Sequence, residues 1–296
     1  MSTVEGRPLQ GKVALVTGGS RGIGAGITRK LAAWGCTIHT TYIDRPGPAK
    51  EMAAELEAKG TKCYLHRMDS SQPDDIKAVF ENIGKMHPDL HIVIHNAAAT
   101  KFTLLKDAKL EDWQFVQDTN SRSTLLIAQH ALPLMKHRPG ARFMTITNST
   151  TRRILKRAGL FGAAKAGLET LTAYLAYEYA SYGIVVNCIR PGLVQTGVFK
   201  VRPDFEGGVH HELSISPWGG ERMTTPEDCG DVVALMCLEE ASWIAGQTIT
   251  IDGGFRWWGH FPMSPRKAKT QAGAPAPGHA VQAPGPAQAP ASAQPA

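Results

Sequence analysis

The sequence lacks most features that assign a chain to a special class. Its five cysteines, Cys36, Cys63, Cys188, Cys229 and Cys237, are scattered and form no CxxC pair. That excludes a disulfide framework and a cysteine zinc site, so no metal is expected, and it fits a reducing compartment. No stretch approaches the ~18 consecutive apolar residues of a membrane span, and the N-terminus shows no apolar signal core. A soluble, cytoplasmic protein without a membrane partner is the expectation. The formal net charge is +6. Three of the cations, Arg266, Lys267 and Lys269, fall near the C-terminus, and the remaining excess of about +3 is too mild to argue for a nucleic-acid partner. From about Ser264 onward there is no aromatic residue, and the composition is mostly Ala, Pro, Gln and Gly. Such a segment cannot bury enough apolar surface to offset its ordering entropy. The expected organisation is an arm over 1–8, one domain over 9–263 and a disordered tail over 264–296.

What is present starts with an apolar run over 12–16, read as a buried strand, followed by Thr17-Gly18-x-x-x-Gly22-x-Gly24 and a helical pattern from about Ile23. The glycines have separate tasks. Gly18 lets the chain leave the strand in a tight turn, Gly22 lets a pyrophosphate approach the backbone, and Gly24 lets the helix pack close on the sheet. The free N–H groups of that helix then face the phosphates, helped by its dipole. Further strands are expected at 37–42, 62–66, 91–95, 142–147, 183–189 and 247–251. Helices are expected at 27–33, 50–58, 75–86, 110–136, 161–182 and 226–237, with 45–48 as a loop. Strand and helix alternate along the whole chain. This predicts an α/β, Rossmann-like, doubly wound parallel sheet of about seven strands with helices on both faces.

Several dispersed features occur in a telling order: the glycine turn, Asp69, Asn96-Ala97-Ala98, Asn120, Ser149, Lys165, Asn187, Pro191-Gly192 followed by Thr196, and Asp252-Gly253-Gly254. Over roughly 9–254 the chain resembles the short-chain dehydrogenase/reductase family. Within it, the chain looks most similar to ketoacyl and enoyl acyl-carrier-protein reductases. The resemblance implies an oxidoreductase using a nicotinamide dinucleotide. It also implies a small-molecule or acyl-carrier-bound substrate, and a homodimer or homotetramer packed through the helices at 110–136 and 161–182.

On the cofactor side the resemblance implies contacts from Gly18, Ser20, Arg21, Gly22, Ile23 and Gly24, and places Asp69 beside the adenine. Asn96, Ala97 and Ala98 form a wall under the cofactor, while Pro191, Gly192, Leu193, Val194 and Thr196 lie against the nicotinamide amide and phosphates. Lys165 binds the nicotinamide ribose. An acid at the end of the second strand would accept from the ribose 2′-hydroxyl of NAD and repel the phosphate of NADP. Tyr42 stands there instead, with Arg21 and Arg45 nearby to pair with a 2′-phosphate. Asp44 reads as a solvated loop acid paired with Arg45. The expected cofactor is NADP(H).

On the chemical side one residue is missing. In the family a Ser and a Tyr bind the carbonyl oxygen, a Lys four residues after the Tyr lowers its pKa, and an Asn holds a water relay. A phenol near pKa 10 needs such a neighbouring ammonium to work near neutrality. Here Ser149, Lys165 and Asn120 match, but the Tyr position is Phe161. The alternative position seven residues before Lys165 is Ala158, and Tyr174, Tyr177, Tyr179 and Tyr182 read as packing or surface residues. A substitute acid is sought in water, in the cofactor ribose through Lys165, or in His210 and His211 of the long loop. A cation run, Arg152, Arg153, Lys156 and Arg157, sits between the Ser and the long helix. It reads as a socket for an anionic group, a patch for an acidic carrier protein, or a solvated loop. Loop aromatics Phe102, Phe199, Phe205, Trp218, Trp257 and Trp258 are candidate pocket walls. The favoured reading is a reductase of a carbonyl, enone or imine with a non-standard proton donor. The alternatives are a non-redox cyclase, isomerase or dehydratase that keeps the nucleotide, and an inactive partner subunit.

Overall fold

The computed structural model describes residues 6–194, 196 and 222–254. A seven-stranded, wholly parallel sheet runs in the order β3-β2-β1-β4-β5-β6-β7. Its strands are β1 Val13–Val16, β2 Thr37–Tyr42, β3 Cys63–Arg67, β4 Ile92–His95, β5 Arg142–Ile146, β6 Val185–Pro191 and β7 Thr248–Ile251. β1 and β4 are buried along their whole length and apolar but for His95 at the end of β4, as strands covered on both faces must be. Alternation along the strands sorts side chains between two cores. Ala14 and Val16 face one layer with Leu31, Met52, Leu56 and Val233, and Val13 and Leu15 face the other with Ile76, Phe80, Ile127 and Leu175. The expected doubly wound class and strand number are thus found. Strand order reverses between β1 and β4, so a crevice opens at the carboxyl ends of these strands.

The helices are α1 Gly22–Ala33, α2 Pro46–Ala58, α3 Pro73–Met86, α4 Leu110–Gln117, α5 Ser123–Met135, α6 Gly159–Tyr179 and α7 Pro226–Leu235. Two expectations need correction. The 45–48 segment is not a loop, because Pro46 opens α2 at its first position. There its fixed φ suits the helix and its missing N–H is not needed. The 110–136 segment is not one α-helix, because a π-helical turn, Asp118–Arg122, separates α4 from α5. The Asn120 side-chain amide donates to the Val116 carbonyl at 2.8 Å, the acceptor that an α-helix reserves for the Asn120 N–H. Other boundaries shift by a few residues. α6 begins at Gly159 rather than Phe161 and ends in a short 3-10 turn, Ala180–Tyr182.

Helix α1 also packs against α7 closer than side chains allow. A Cβ on Gly26 would lie 2.0 Å from the Pro226 carbonyl oxygen, and one on Gly230 would lie 2.4 Å from the Gly26 oxygen. No helix among the described residues is long and apolar enough to cross a membrane.

Two histidines are fully buried in the sheet. Burial pushes both imidazoles down to about 3: His39, with His66 and His87 adding to the effect, and His95, with Lys165 adding. In the unfolded chain an imidazole titrates near ~6.5. The unfolded state therefore takes up protons first as pH falls. Stability from these groups is complete above about pH 6.5 and is lost progressively toward pH 3, at up to ~1.4 kcal/mol per pH unit for each histidine. Thermal melts at a series of pH values should show Tm falling below about pH 6.5; a flat Tm from neutrality down to about pH 4 would contradict the burial argument.

Candidate active site

The site is assembled where β1 and β4 end. Thr17 follows β1, and its buried hydroxyl accepts from the N–H groups of Asn96 (3.0 Å) and Ala97 (2.9 Å). It lies 3.3 Å from His95 Nδ1, and His95 Nε2 lies 3.1 Å from Ser123 Oγ. Ser123 spends its own proton on the Thr119 carbonyl at 2.6 Å. His95 Nε2 must then carry the proton, and Nδ1 accepts from Thr17. That is a neutral tautomer, in keeping with the lowered His95 pKa. The chain of bonds runs from the glycine turn through the sheet to the π-helical turn that holds Asn120. The sequence reading missed His95 and Ser123.

The tight turn expected at Gly18 and the close packing expected at Gly24 are found. Gly18 has φ +62° and donates its N–H to Thr41 Oγ1 at 3.0 Å. A Cβ on Gly24 would lie 2.3 Å from the Gly18 oxygen and 2.6 Å from Asn96 Nδ2. Gly19, left unassigned by the sequence reading, is equally constrained, since a Cβ there would lie 2.3 Å from Thr40 Oγ1. A Cβ on Gly22 would lie 3.5 Å from Thr196 Cγ2, so the turn and the Thr196 segment meet. The N-terminus of α1 has no side-chain cap and no acid in its first turn. Open amides beside a glycine cradle fit a pyrophosphate.

At the adenosine end, Tyr42 closes β2 and Arg45 precedes α2. Arg21, Asp44 and Arg45 are all exposed. The expected Asp44–Arg45 ion pair is not formed. Asp69 follows β3, and its Oδ1 accepts from the N–H (2.8 Å) and hydroxyl (2.7 Å) of Ser71.

At the chemical end, Ser149 opens a short 3-10 turn, Ser149–Thr151, capped by Asn148 Oδ1, which accepts from the Thr150 N–H at 3.0 Å. Lys165, 2 % exposed, donates from Nζ to the Ile146 carbonyl at 2.8 Å and lies 5.6 Å from the centroid of the Phe161 ring. Burial pushes its amine down to about 8, against the opposing pull of Cys188 and Glu169. Helix α6 packs on both the Ser149–Thr151 turn and the Asn120 turn. Asn120 Nδ2 donates to Ala99 (2.7 Å) and Val116, while its buried Oδ1 has no partner. Pro191 ends β6, Gly192 donates to Ile251 at 3.1 Å, and Val194 bridges to Thr224. Tyr174, Tyr177 and Tyr182 are exposed and Tyr179 is buried in the α3/α5/α6 layer; Ala158 is buried. His210, His211, Phe199, Phe205, Trp218, Trp257 and Trp258 lie outside the described residues.

A hub behind the site was not foreseen. Glu169, one turn after Lys165, takes hydrogen bonds on Oε1 from Thr147 (2.8 Å) and Thr151 (2.7 Å). Its Oε2 meets Arg190 Nη2 at 2.6 Å, and Arg190 reaches on to Thr250. One carboxylate therefore ties together the end of β5, the Ser149 turn, α6 and β6. The spacing of four from Lys165 was the available signal, but its partners are far apart in sequence.

The fold and this crevice define a nucleotide-dependent oxidoreductase architecture, in which a dinucleotide lies across the switch point with chemical groups beyond it. Comparisons agree. The family model described as enoyl-(acyl carrier protein) reductase matches residues 18–256. The 3-oxoacyl-(acyl-carrier-protein) reductase of Salmonella typhimurium is 32% identical over 83% of this chain and 97% of its own length. An NADPH-dependent aldehyde reductase-like protein of Arabidopsis thaliana is 29% identical over 84% of this chain and 95% of its own. A Burkholderia cenocepacia short-chain dehydrogenase solved in complex with NADP is 29% identical with a TM-score of 0.78, covering 84% of this chain and 99% of that one. The chain belongs to the short-chain dehydrogenase/reductase family and is an oxidoreductase.

Removing one partner of a buried ion pair strands the other charge, at a cost of about 3–5 kcal/mol. The side chains of Arg190 and Glu169 are only 5% and 13% exposed. Glu169→Leu should therefore lower unfolding free energy by about 3 kcal/mol in denaturant melts. A change below about 1 kcal/mol would show that the hub carries no such weight.

Proposed function

We propose that the protein is an NADPH-dependent reductase of a carbonyl, enone or imine in which Lys165 supplies the proton that a tyrosine supplies elsewhere in the family. The observation that carries this reading is the Phe161–Lys165 pair, in which an aromatic ring keeps the place of the phenol beside a buried ammonium. The cofactor fits the residues present: an uncapped α1, a glycine cradle that a Cβ would fill, and two arginines with no acid partner beside a non-acidic Tyr42. NADP in the Burkholderia relative supports the same choice. Gly18, Ser20, Arg21, Gly22, Ile23 and Gly24 hold the pyrophosphate, Arg21 and Arg45 the 2′-phosphate, and Asp69 borders the adenine. Asn96 to Ala98 and Pro191 to Val194 with Thr196 line the nicotinamide.

When bound, the dinucleotide supplies the hydride. Ser149 donates a hydrogen bond to the substrate oxygen or nitrogen, steadying the charge that develops there. Lys165 holds a proton on Nζ and releases it to that atom, leaving a neutral amine. Asn120 Oδ1 accepts from the water that returns the proton. An amine near 8 is protonated at neutrality yet a better acid than ordinary lysine. Exposed Tyr174 and Tyr177 on α6, with Leu110 and Trp113 on α4, support assembly of the chain with further copies through these helices.

The missing phenol also favours a second reading, a nucleotide-retaining isomerase or cyclase, which would turn over substrate without consuming NADPH.

Fluorescence titration should show NADPH bound at least about tenfold more tightly than NADH, with the preference lost in Arg21→Gln/Arg45→Gln. Failure to bind either dinucleotide would sink the reductase reading. In a substrate screen, kcat/KM should fall as pH rises through about 8, where Lys165 loses its proton. Lys165→Met should abolish turnover, and Phe161→Tyr should raise it about tenfold or more on simple ketones. A Lys165→Met variant that kept wild-type turnover would exclude the amine as donor.

A further inference from the structure

The arginines of this surface fall into two groups. Arg29, Arg67, Arg122, Arg138 and Arg222 each pair with an acid: Glu55, Asp75, Asp118, Asp89 and Asp228. Arg21, Arg45, Arg152 and Arg157 are exposed and have no such partner among the described residues; Arg7 near the N-terminus shares this, and buried Arg142 donates to backbone carbonyls instead. Two of the four stand where the proposed cofactor carries its 2′-phosphate. Of the other two, Arg152 is folded onto the Ser149 turn and Arg157 lies between that turn and the start of α6.

Their placement there is built into the backbone. The Ser149 carbonyl accepts from the N–H groups of Arg152 (3.0 Å) and Arg153 (2.9 Å), so the cationic run is folded directly onto the Ser149 turn. Arg157 closes the run with φ +66°, the one non-glycine residue with positive φ among those described. This is a conformation that L-residues seldom adopt and that gathers at functional loops. The Arg157 carbonyl accepts from the Thr103 N–H at 3.0 Å, which brings the 101–105 segment and exposed Lys101 alongside. A Cβ on Gly159 would lie 2.8 Å from Leu105 Cδ2, so the two segments touch again two residues further on. Lys156 is exposed and unpaired as well. From 119 to 168 the sequence contains no aspartate or glutamate at all. A cationic run that contains no acid of its own, beside the groups that handle the reacting atom, raises the local concentration of anions and can pair with one directly; the nearest carboxylate behind it, Glu169, is already taken by Arg190.

We infer that the substrate carries an anionic oxygen group, a carboxylate or a phosphate ester, remote from its reducible carbon, and that Arg152 and Arg157 bind it at the mouth of the crevice. This rests on the reductase reading. Lys101 and Lys156 add to the field rather than to the contact. The group is bound in both ground and transition states, so it acts on KM more than on kcat.

The test uses the full chain with NADPH and a series of straight-chain oxo acids, each beside its methyl ester and the matching oxo-alkyl phosphate. The acids or the phosphates should be preferred about tenfold or more in kcat/KM over the esters, mainly through KM. Whichever is preferred identifies the anion. The preference should shrink as salt is raised toward about 0.5 M. Arg152→Gln/Arg157→Gly should lose the preference while keeping NADPH affinity and an undiminished Tm, because glycine suits the left-handed backbone at 157. Equal kcat/KM for anionic and ester members overturns the inference, as does a preference that survives in the double variant. So does turnover confined to thioesters on an acidic carrier protein, which would make the rim a protein-docking surface. If no member consumes NADPH, the reductase reading is what fails. Calorimetry of adipate and of an alkyl phosphate with the NADPH-bound chain then decides the anion site alone. Binding lost in the double variant upholds it, and no binding to the wild type overturns it.

Discussion

The site depends on the contact between two turns at the switch point of the sheet. Gly19 and Gly24 leave no room for a Cβ, because Thr40 of β2 and Thr28 of α1 crowd the first and the Gly18 carbonyl and Asn96 the second, while Gly18 is left-handed and close against Ala97. That contact lets Asn96 Nδ2 reach the Thr17 (2.9 Å) and Gly18 (3.2 Å) carbonyls and Thr17 Oγ1 collect two N–H groups from the β4 turn. Backbone polar groups freed by the turn are thereby satisfied from one side, and the amides of α1 are left facing the crevice. The same Thr17 hydroxyl meets His95 Nδ1, and Ser123 beside the π-helical turn sets the tautomer from the other side of the ring. The cofactor end and the Asn120 end of the site are thus parts of one hydrogen-bonded object.

A second constraint acts behind the chemical groups. Lys165 is buried against Ile146, and burial alone would weaken its charge. Glu169 opposes that weakening from one turn along α6. Its own charge is neutralised by Arg190 and satisfied by Thr147 and Thr151, so the carboxylate stays in place in a region poor in water. The arrangement couples position to protonation, since the residues that fix the Ser149 turn also hold the charge that bears on Lys165. His95 and Cys188 lie close enough to bear on Lys165 too, but burial keeps both uncharged near neutrality.

Local pattern was enough to read the sheet, because continuous apolar strands alternating with helices have few other solutions. The glycine turn was legible because it is a short motif next to a strand end, whereas Ser149, Lys165 and Asn120 were singled out by resemblance to a family and not by local pattern. What stayed hidden depended on partners distant in sequence. Glu169 looks like any helical glutamate until Thr147, Thr151 and Arg190 converge on it. Gly26 and Gly230 look like weak helix positions until α1 and α7 cross. The π-helical turn was invisible to periodicity because a single displaced hydrogen bond, taken by the Asn120 side chain, barely moves the apolar pattern. Pro46 was misread for the opposite reason. Pro-Gly-Pro is a strong turn signal on its own, and only the helix that follows makes Pro46 a first-turn residue.

The loss of the phenol is better understood as a change of partner for Lys165 than as a deletion. A tyrosine hydroxyl would compete for the ammonium, whereas the Phe161 ring offers only its face, 5.6 Å from Nζ to the ring centroid. A ring face attracts a cation without accepting its proton. With Ile146 as its one hydrogen-bond acceptor among the described residues, Nζ keeps further N–H groups for whatever enters the crevice. Were the amine used neither for the nicotinamide ribose nor for the chemistry, a buried lysine would be a burden, because its desolvation gains nothing that a methionine would not give more cheaply. Retaining Lys165, together with the Glu169 hub that supports its charge, is what a site does when the ammonium itself is in use.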